Sequence, residues 1–229
     1  MNELKKRIFT SIVLISVGLF CIFTNSVIFL ISLVAIIGLA FHEISLIIAK
    51  ISKSVKKLSY FFYNLLALYY GLIIFIGSVF SLQNTNTILK STINAGPFCL
   101  LFILLICIFS DIGGYIIGKA IGGKKLTKIS PKKTISGSFG SFVFSITPLI
   151  LFNYFFPSEY MFTIKNIFLC LEVSLLCQIG DIFISFLKRK ARIKDTGTLL
   201  PGHGGILDRI DGMLFAIPFA WFKLSFGIL

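Results

Sequence analysis

Long apolar runs recur along this chain at close to the length of a bilayer crossing, and no other feature limits its fold as severely. Seven such runs stand out, at 8–23, 27–48, 60–81, 93–118, 138–156, 164–187 and 212–229. A helix needs about 20 apolar residues to cross a bilayer, so the first run is short. A soluble helix would carry a polar face, and most of these runs have none. Only 14% of the 229 residues are charged, against about 25% in an average soluble domain. Mean hydropathy is +0.96. The expected fold is an all-α, polytopic integral membrane helical bundle with about seven transmembrane helices. Thr24-Asn25-Ser26 alone separates the first two runs, which predicts a tight hairpin. The second carries His42 and Glu43 and is expected to end as a helix rising out of the membrane. Lys5, Lys6 and Arg7 precede the first run as in a signal peptide, but no small-x-small cleavage site follows, so that run is read as a span.

Charge tests this topology. In the alternate loops 1–7, 49–59, 119–137 and 188–211 lie 19 of the 22 basic residues; the other side has Lys90, Lys165 and Lys223. The positive-inside rule makes the rich side cytoplasmic. The net charge of +13 therefore reads as orienting charge that meets anionic lipid or substrate, and not as a nucleic-acid surface. All five cysteines lie inside apolar runs without a CxxC pair, which supports neither a disulfide framework nor a zinc site. The polar stretch Gln83–Thr87 reads as an external loop.

One stretch departs from this apolar background. Ser185–Asp211 holds six of the basic residues, three of the nine acidic ones and one of two histidines, with glycines at 197, 202, 204 and 205. Glycine lets backbone N–H groups approach a ligand, and Lys and Arg attract phosphate. Asp208 and Asp211, three apart, share a helical face and suit a hard metal ion; acids in a first helical turn also complement the helix dipole. Asp181, Ser185 and Lys188 share a helical face leading into the stretch. Asp181 reads equally as a metal ligand or as a structural partner for a lysine. Upstream, Asp111 near a membrane end is costly unless used or paired, and Gly114 and Gly118 suit either close helix packing or function. Lys124–Ser138, with Lys132, Lys133 and Thr134 ahead of a helix start, reads either as a phosphate site or as a solvated basic loop; it is not a P-loop.

These residues together resemble the phosphatidate cytidylyltransferase (CDP-diacylglycerol synthase) family. The resemblance is carried by Ser185-x-x-Lys188-Arg189, Lys194-Asp195 and Pro201-Gly202-His203-Gly204-Gly205-x-Leu207-Asp208-Arg209-x-Asp211. Two further motifs agree, Asp111-x-Gly-Gly-Tyr115-x-x-Gly118 and Ile129-Ser130-Pro131-Lys132-Lys133-Thr134. The resemblance implies that a cytidylyl group passes from CTP to phosphatidic acid, giving CDP-diacylglycerol and pyrophosphate at cytoplasmic active-site loops. It implies Mg²⁺ as cofactor, with a second monovalent or divalent cation also allowed for, and a homodimer. The compact single-unit chain suggests a bacterial inner membrane, and the charge count puts the N-terminus inside. Asp208, Asp211, Lys188, Arg189 and His203 are then expected to be catalytic. Lys132, Lys133, Thr134, Ser185, Lys194, Gly202, Gly204, Gly205 and Arg209 are expected to bind substrate, and Asp208, Asp211, Asp195 and Asp181 to hold metal. Residues 1–92 are expected to form about three N-terminal helices and 93–229 the catalytic region.

Two positions depart from the family pattern. Ser136 and Ile184 stand where the family usually has Glu. Either those acids are dispensable, or Glu172 or another acid substitutes, or activity is reduced. The chain also looks short at its N-terminal end. A CTP-dependent polyprenol kinase of the same superfamily is the nearest alternative reading. A transporter is a distant one, because no repeat halves are visible and the charge sits in loops.

Overall fold

The computed structural model describes residues 3–55, 71–81, 95–156, 162–200 and 204–226. Among the described residues every regular element is an α-helix: α1 (Glu3–Phe23), α2 (Ser26–Val55), α3 (Gly71–Ser81), α4 (Ala95–Ile121), α5 (Ile135–Ser145), α6 (Thr147–Phe155), α7 (Ile164–Lys190), α8 (Leu207–Ile210) and α9 (Met213–Ser225). Extended pairing among the described residues is confined to two isolated bridges, Lys125 with Thr134 and Leu200 with Gly204. The all-α expectation holds.

Four described stretches are long and apolar enough to cross a membrane: Ser26–Ile51, Gly96–Ile121, Ile135–Phe155 and Ile164–Lys190. Thr10–Phe23, Gly71–Ser81 and Met213–Ser225 are apolar but shorter. The chain is thus an integral membrane bundle, and these lengths do not by themselves establish seven crossings. Residues 60–70 of one expected span, the expected external loop at Gln83–Thr87 and the end of the last span lie outside the described residues.

Local chemistry sets the breaks. Asn25 ends the first hairpin turn: its side chain accepts from Val27 N (3.1 Å) and its carbonyl from Phe29 N (3.0 Å), so the polar triplet opens α2 as an N-cap does. The expected span 138–156 is two helices. It begins earlier, at Ile135, because Thr134 caps α5 by accepting from Gly137 N at 3.1 Å. It breaks at Ile146 because Pro148, in the first turn of α6, has no N–H to continue the ladder.

The main core lies where α4, α6, α7 and α9 meet, around the fully buried Ile103, Ile106, Leu149, Cys170, Val173, Ala216 and Ala220. Cys99, Cys107, Cys170 and Cys177 are buried free thiols that pack as small hydrophobic side chains. A second apolar cluster joins α2 to α7 and α8: Ala40, Ile44, Ile47, Ile48 and Ile51 pack with Ile184 and Leu207. These contacts cross the boundary expected at 92/93. On the outside, Ile12, Phe20, Ile31, Val143, Tyr154 and Phe168 are exposed. Such a surface suits hydrocarbon.

Candidate active site

The chemistry gathers at one end of the bundle, where α4 ends, α5 begins, and α7 runs into the loop before α8. Two close approaches bring these elements together. Along α4 and α5, backbone meets backbone: a Cβ at Gly113 would lie 2.5 Å from the Gly140 carbonyl oxygen, and one at Gly137 2.7 Å from that of Gly114. Gly118 likewise has room only for a hydrogen, with Thr134 Oγ1 2.9 Å from a Cβ there. Gly114 and Gly118 therefore serve helix packing, and Gly114 also borders the cavity described below. At the second approach, a Cβ at Gly180 of α7 would meet the Asp211 carbonyl oxygen at 2.6 Å.

Between α4 and α5 the lysine-rich segment folds as a hairpin. Gly122 and Gly123 turn the chain out of α4 with φ of +66° and +100°, a region that favours glycine. Leu126 N donates to Lys133 O (2.8 Å) and Ile135 N to Lys124 O (3.0 Å). Ser136 Oγ ties the hairpin to the end of α4 by donating to Gly122 O at 2.5 Å. The basic segment is thus ordered.

Its lysines border a cavity of about 250 Å³ lined by Asp111, Gly114 and Tyr115 of α4, Leu126, Lys132, Lys133 and Thr134 of the hairpin, Gly137, Ser138 and Ser141 of α5, and Gln178 and Asp181 of α7. Lys133 Nζ forms an ion pair with Asp181, which also accepts from Ser185 Oγ at 3.2 Å. Asp181 is therefore a lysine's partner and a cavity residue at once. Ser138 Oγ donates to Gln178 Oε1 at 2.5 Å across the cavity wall. Asp211, in the turn between α8 and α9, belongs to the same electrostatic group. Burial first, then the Asp181 and Asp111 carboxylates, push its carboxyl up to about 7, while the Gly212 N–H and Lys188 pull the other way.

A second network lies beside the cavity. Lys188 Nζ donates to Asp208 Oδ1 at 2.7 Å. Asp208 Oδ2 accepts from Thr196 N (2.9 Å), Thr196 Oγ1 (3.0 Å) and Gly205 N (3.1 Å). Burial alone would raise the Asp208 carboxyl, but the Lys188 ammonium and the N–H donors of Thr196 and Gly205 outweigh it and hold it below the ordinary aspartate value. Glu43 of α2, a buried side chain, closes the network. It accepts from Thr196 Oγ1 (2.7 Å), Ile206 N (3.0 Å) and Leu207 N (3.0 Å). Gly205 lacks a side chain for this reason: a Cβ would lie 2.1 Å from Thr196 Oγ1 and 2.3 Å from Glu43 Oε2.

The expected site residues therefore divide. Lys132, Lys133, Thr134 and Asp181 line the cavity, with Ser185 bonded to Asp181. Lys188 and Asp208 form the second network with Gly205, and Gly204 turns the loop at φ +80°. Arg189, Lys194, Asp195 and Arg209 are exposed. Arg189 Nη1 donates to Ile193 O at 3.3 Å at the end of α7. Gly202 and His203 lie outside the described residues. Among the described residues no three His, Cys, Asp or Glu side chains converge closely enough to hold a metal unaided. Tyr115, Ser138, Ser141 and Gln178 were not among the expected site residues, although Tyr115 stands in the Asp111–Gly118 motif and Ser138 ends the basic segment; the signal for Ser141 and Gln178 was their place within two turns of Thr134 and Asp181. Glu43, more than 150 residues before Thr196, stood out only as an acid inside the second apolar run and was read as marking the end of a span.

The two departures from the family pattern take structural form. Ser136 bonds the end of α4, and Ile184, 1% exposed, sits in the apolar cluster with Ile44 and Ile47. Glu172 does not stand in for a missing acid. It accepts from Lys223 Nζ at 2.6 Å, and it lies nine residues up α7 from Asp181, about 13 Å along the axis.

Comparison with known proteins agrees with this geometry. Residues 45–226 match the cytidylyltransferase family. The phosphatidate cytidylyltransferase of Bacillus subtilis (strain 168) is 38% identical over 138 residues, 58% of this chain and 50% of that protein. Those of Synechocystis sp. and Rickettsia bellii are 40% and 42% identical over 117 and 135 residues, which is 51% and 53% of this chain and 40% and 56% of those proteins. The chain spans about half the length of the curated relatives it matches. With four-fifths of its residues inside the family match, including every residue of the cavity and of the Lys188–Asp208 pair, this chain belongs to the cytidylyltransferase family.

Proposed function

We propose that this protein transfers a cytidylyl group from CTP to phosphatidic acid, giving CDP-diacylglycerol and pyrophosphate. The observation that carries this reading is the cavity in which Lys132, Lys133 and Thr134 of one motif line the same space as Asp111 of a second and Asp181 of α7, at one end of an apolar bundle. A phosphate-bearing lipid reaches such a site from the bilayer, and a nucleotide from the aqueous side.

In this reaction a phosphatidate oxygen bonds to the α-phosphorus of CTP. The bond from that phosphorus to the bridging oxygen of the β-phosphate breaks, and pyrophosphate leaves with the electron pair. Catalysis rests on positioning and charge neutralisation. Lys132 and Lys133 neutralise phosphate oxygens, and Thr134, Ser138 and Ser141 line the cavity with hydroxyls, of which that of Ser138 is held by Gln178. Lys188 and Asp208 hold Thr196 and Gly205 against the end of α7, with Arg189, Lys194 and Arg209 supplying positive potential around them.

The donor set fits a hard divalent cation. Asp111 and Asp181 line the cavity, and Asp211 is repelled by both. Mg²⁺ binds through one or two carboxylates together with substrate phosphates, so Asp181 and Asp211 would hold it with Asp111 beside them. Asp208 and Asp195, the other expected ligands, stand respectively in the Lys188 pair and at the surface. When bound, the ion would neutralise charge on the phosphates.

The positive-inside asymmetry supports a cytoplasmic site and N-terminus, and the bacterial relatives support a cell membrane. A homodimer accords with the family resemblance. Incubation of the purified protein with labelled CTP, Mg²⁺ and phosphatidic acid tests the reading. Labelled CDP-diacylglycerol with equimolar pyrophosphate is the expected result. CDP as the sole nucleotide product would overturn it.

A further inference from the structure

We infer that Glu43 is a positioning residue of this site, which holds Thr196 and Gly205–Leu207 in place from a neighbouring helix and thereby sets how these residues stand towards nucleotide. The inference rests on the cytidylyltransferase reading above for the nature of the ligand, and on geometry for the rest.

Glu43 is 6% exposed on an otherwise apolar face of α2, between Ala40, Ile44 and Ile47. A carboxylate in such surroundings is unfavourable unless its lone pairs are satisfied. Three donors satisfy it, all from one segment: Thr196 Oγ1, Ile206 N and Leu207 N. The two N–H groups open α8 and have no partner within so short a helix. The segment is also shaped around this carboxylate. A Cβ at Gly197 would meet Glu43 Oε1 at 2.7 Å, and one at Gly205 would meet Oε2 at 2.3 Å. Two glycines in a loop that looks built for phosphate are thus required by an acid.

The effect passes onward through Thr196. Its hydroxyl lies 2.7 Å from Glu43 Oε2 and 3.0 Å from Asp208 Oδ2, while its N–H and that of Gly205 hold Asp208 Oδ2. The other oxygen of Asp208 holds Lys188. Glu43 itself lines no part of the cavity. It reaches the site only by fixing Thr196, Gly205 and the start of α8, which in turn place Asp208 and Asp211. The bulk of Glu43 suffices for packing, but its charge is needed for three converging donors. Gln at this position would turn an amide N–H₂ towards one of them.

The test uses full-length protein in detergent with Glu43→Gln, Thr196→Val and Thr196→Ser. Amide exchange reads the loop independently of any activity: Glu43→Gln should speed exchange at Ile206 and Leu207 at least ten-fold, with α4 and α5 unchanged. Binding of Mg-CTP and, with phosphatidate, turnover read the site. Glu43→Gln and Thr196→Val should each weaken CTP binding and raise the KM for CTP at least five-fold. The double variant should be no worse than the worse single one, and Thr196→Ser should stay near wild type. A merely structural lesion would lower the number of active molecules and leave KM unchanged; that result, or unaltered exchange at 206 and 207, overturns the inference. Wild-type protein that makes no CDP-diacylglycerol overturns the proposed reaction instead, and the exchange measurement still decides the role of Glu43.

Discussion

Lys188 Nζ and Asp208 Oδ1 lie 2.7 Å apart with side chains only 11% and 7% exposed, so the last turn of α7 is pinned to α8 by an ion pair almost out of reach of solvent. Removing one member leaves the other buried and unpaired, which destabilises by roughly 3–5 kcal/mol. Asp208→Asn should therefore lower the unfolding temperature measurably and abolish turnover. Lys188→Met with Asp208→Asn, which keeps an amide oxygen for the Thr196 and Gly205 N–H groups, should recover part of the thermal stability and none of the activity. Thermal unfolding in detergent beside product formation from CTP checks both arms.

The same pair sets an acid limit. Asp208 has its carboxyl held below the ordinary aspartate value in the folded protein. Its contribution to stability is then fully present above the unfolded value of about 3.9 and is lost as pH falls through the lower folded value. Unfolding temperature measured from pH 6 downward should drop below about pH 4 in the wild type. In Asp208→Asn the curve should start lower and fall less steeply.

Backbone contact between α4 and α5 makes a sharper steric prediction. Alanine at Gly113 or Gly140 places a Cβ 2.5 to 2.6 Å from a carbonyl oxygen of the facing helix, and backbone cannot swing aside. The helices must separate, at roughly 1–3 kcal/mol, and they carry opposite walls of the cavity. Turnover should fall at least ten-fold. Gly38 on α2 has nothing within 4 Å of a Cβ, so alanine there should leave activity unchanged and raise stability by roughly 0.5–1 kcal/mol. Equal losses at Gly38 and Gly140 would refute the packing argument.

Several of these features were legible in the sequence for identifiable reasons. Apolar run length located α2, α4 and α7, because a bilayer imposes one length on every crossing helix. Charge and glycine marked the segment after α7, and Lys132–Thr134 was recognisable as a second basic segment ahead of a helix start. Long-range pairing left no comparable trace. Lys133 finds Asp181 and Glu43 finds Thr196 only once the helices have packed, and neither contact has a periodicity. The break at Ile146 was written in Pro148 but was masked by the unbroken hydrophobicity on either side. For the lysines at 124–133 the sequence left a phosphate site and a solvated loop equally open, because the hairpin that holds them is built from backbone bonds and the Ser136 hydroxyl, which composition does not reveal.

Glu172 and Lys223 close the account, since an acid on α7 invites a catalytic reading that its surroundings deny. The pair is 2.6 Å apart between α7 and α9, and Lys223 also lies 5.8 Å from the Phe219 ring centroid. Neither residue lines the cavity. Glu172→Gln leaves a lysine without its counter-charge among apolar helices, which lowers stability by roughly 1–3 kcal/mol and leaves the cavity wall as it was. Its KM for CTP and its turnover per folded molecule should match wild type within two-fold, at a lower unfolding temperature. Asp181→Asn is the contrast. It removes the partner of Lys133 and a cavity carboxylate together, so turnover should fall at least a hundred-fold. Steady-state kinetics normalised to folded protein separates the two acids: equal losses would mean that Glu172 serves the reaction after all.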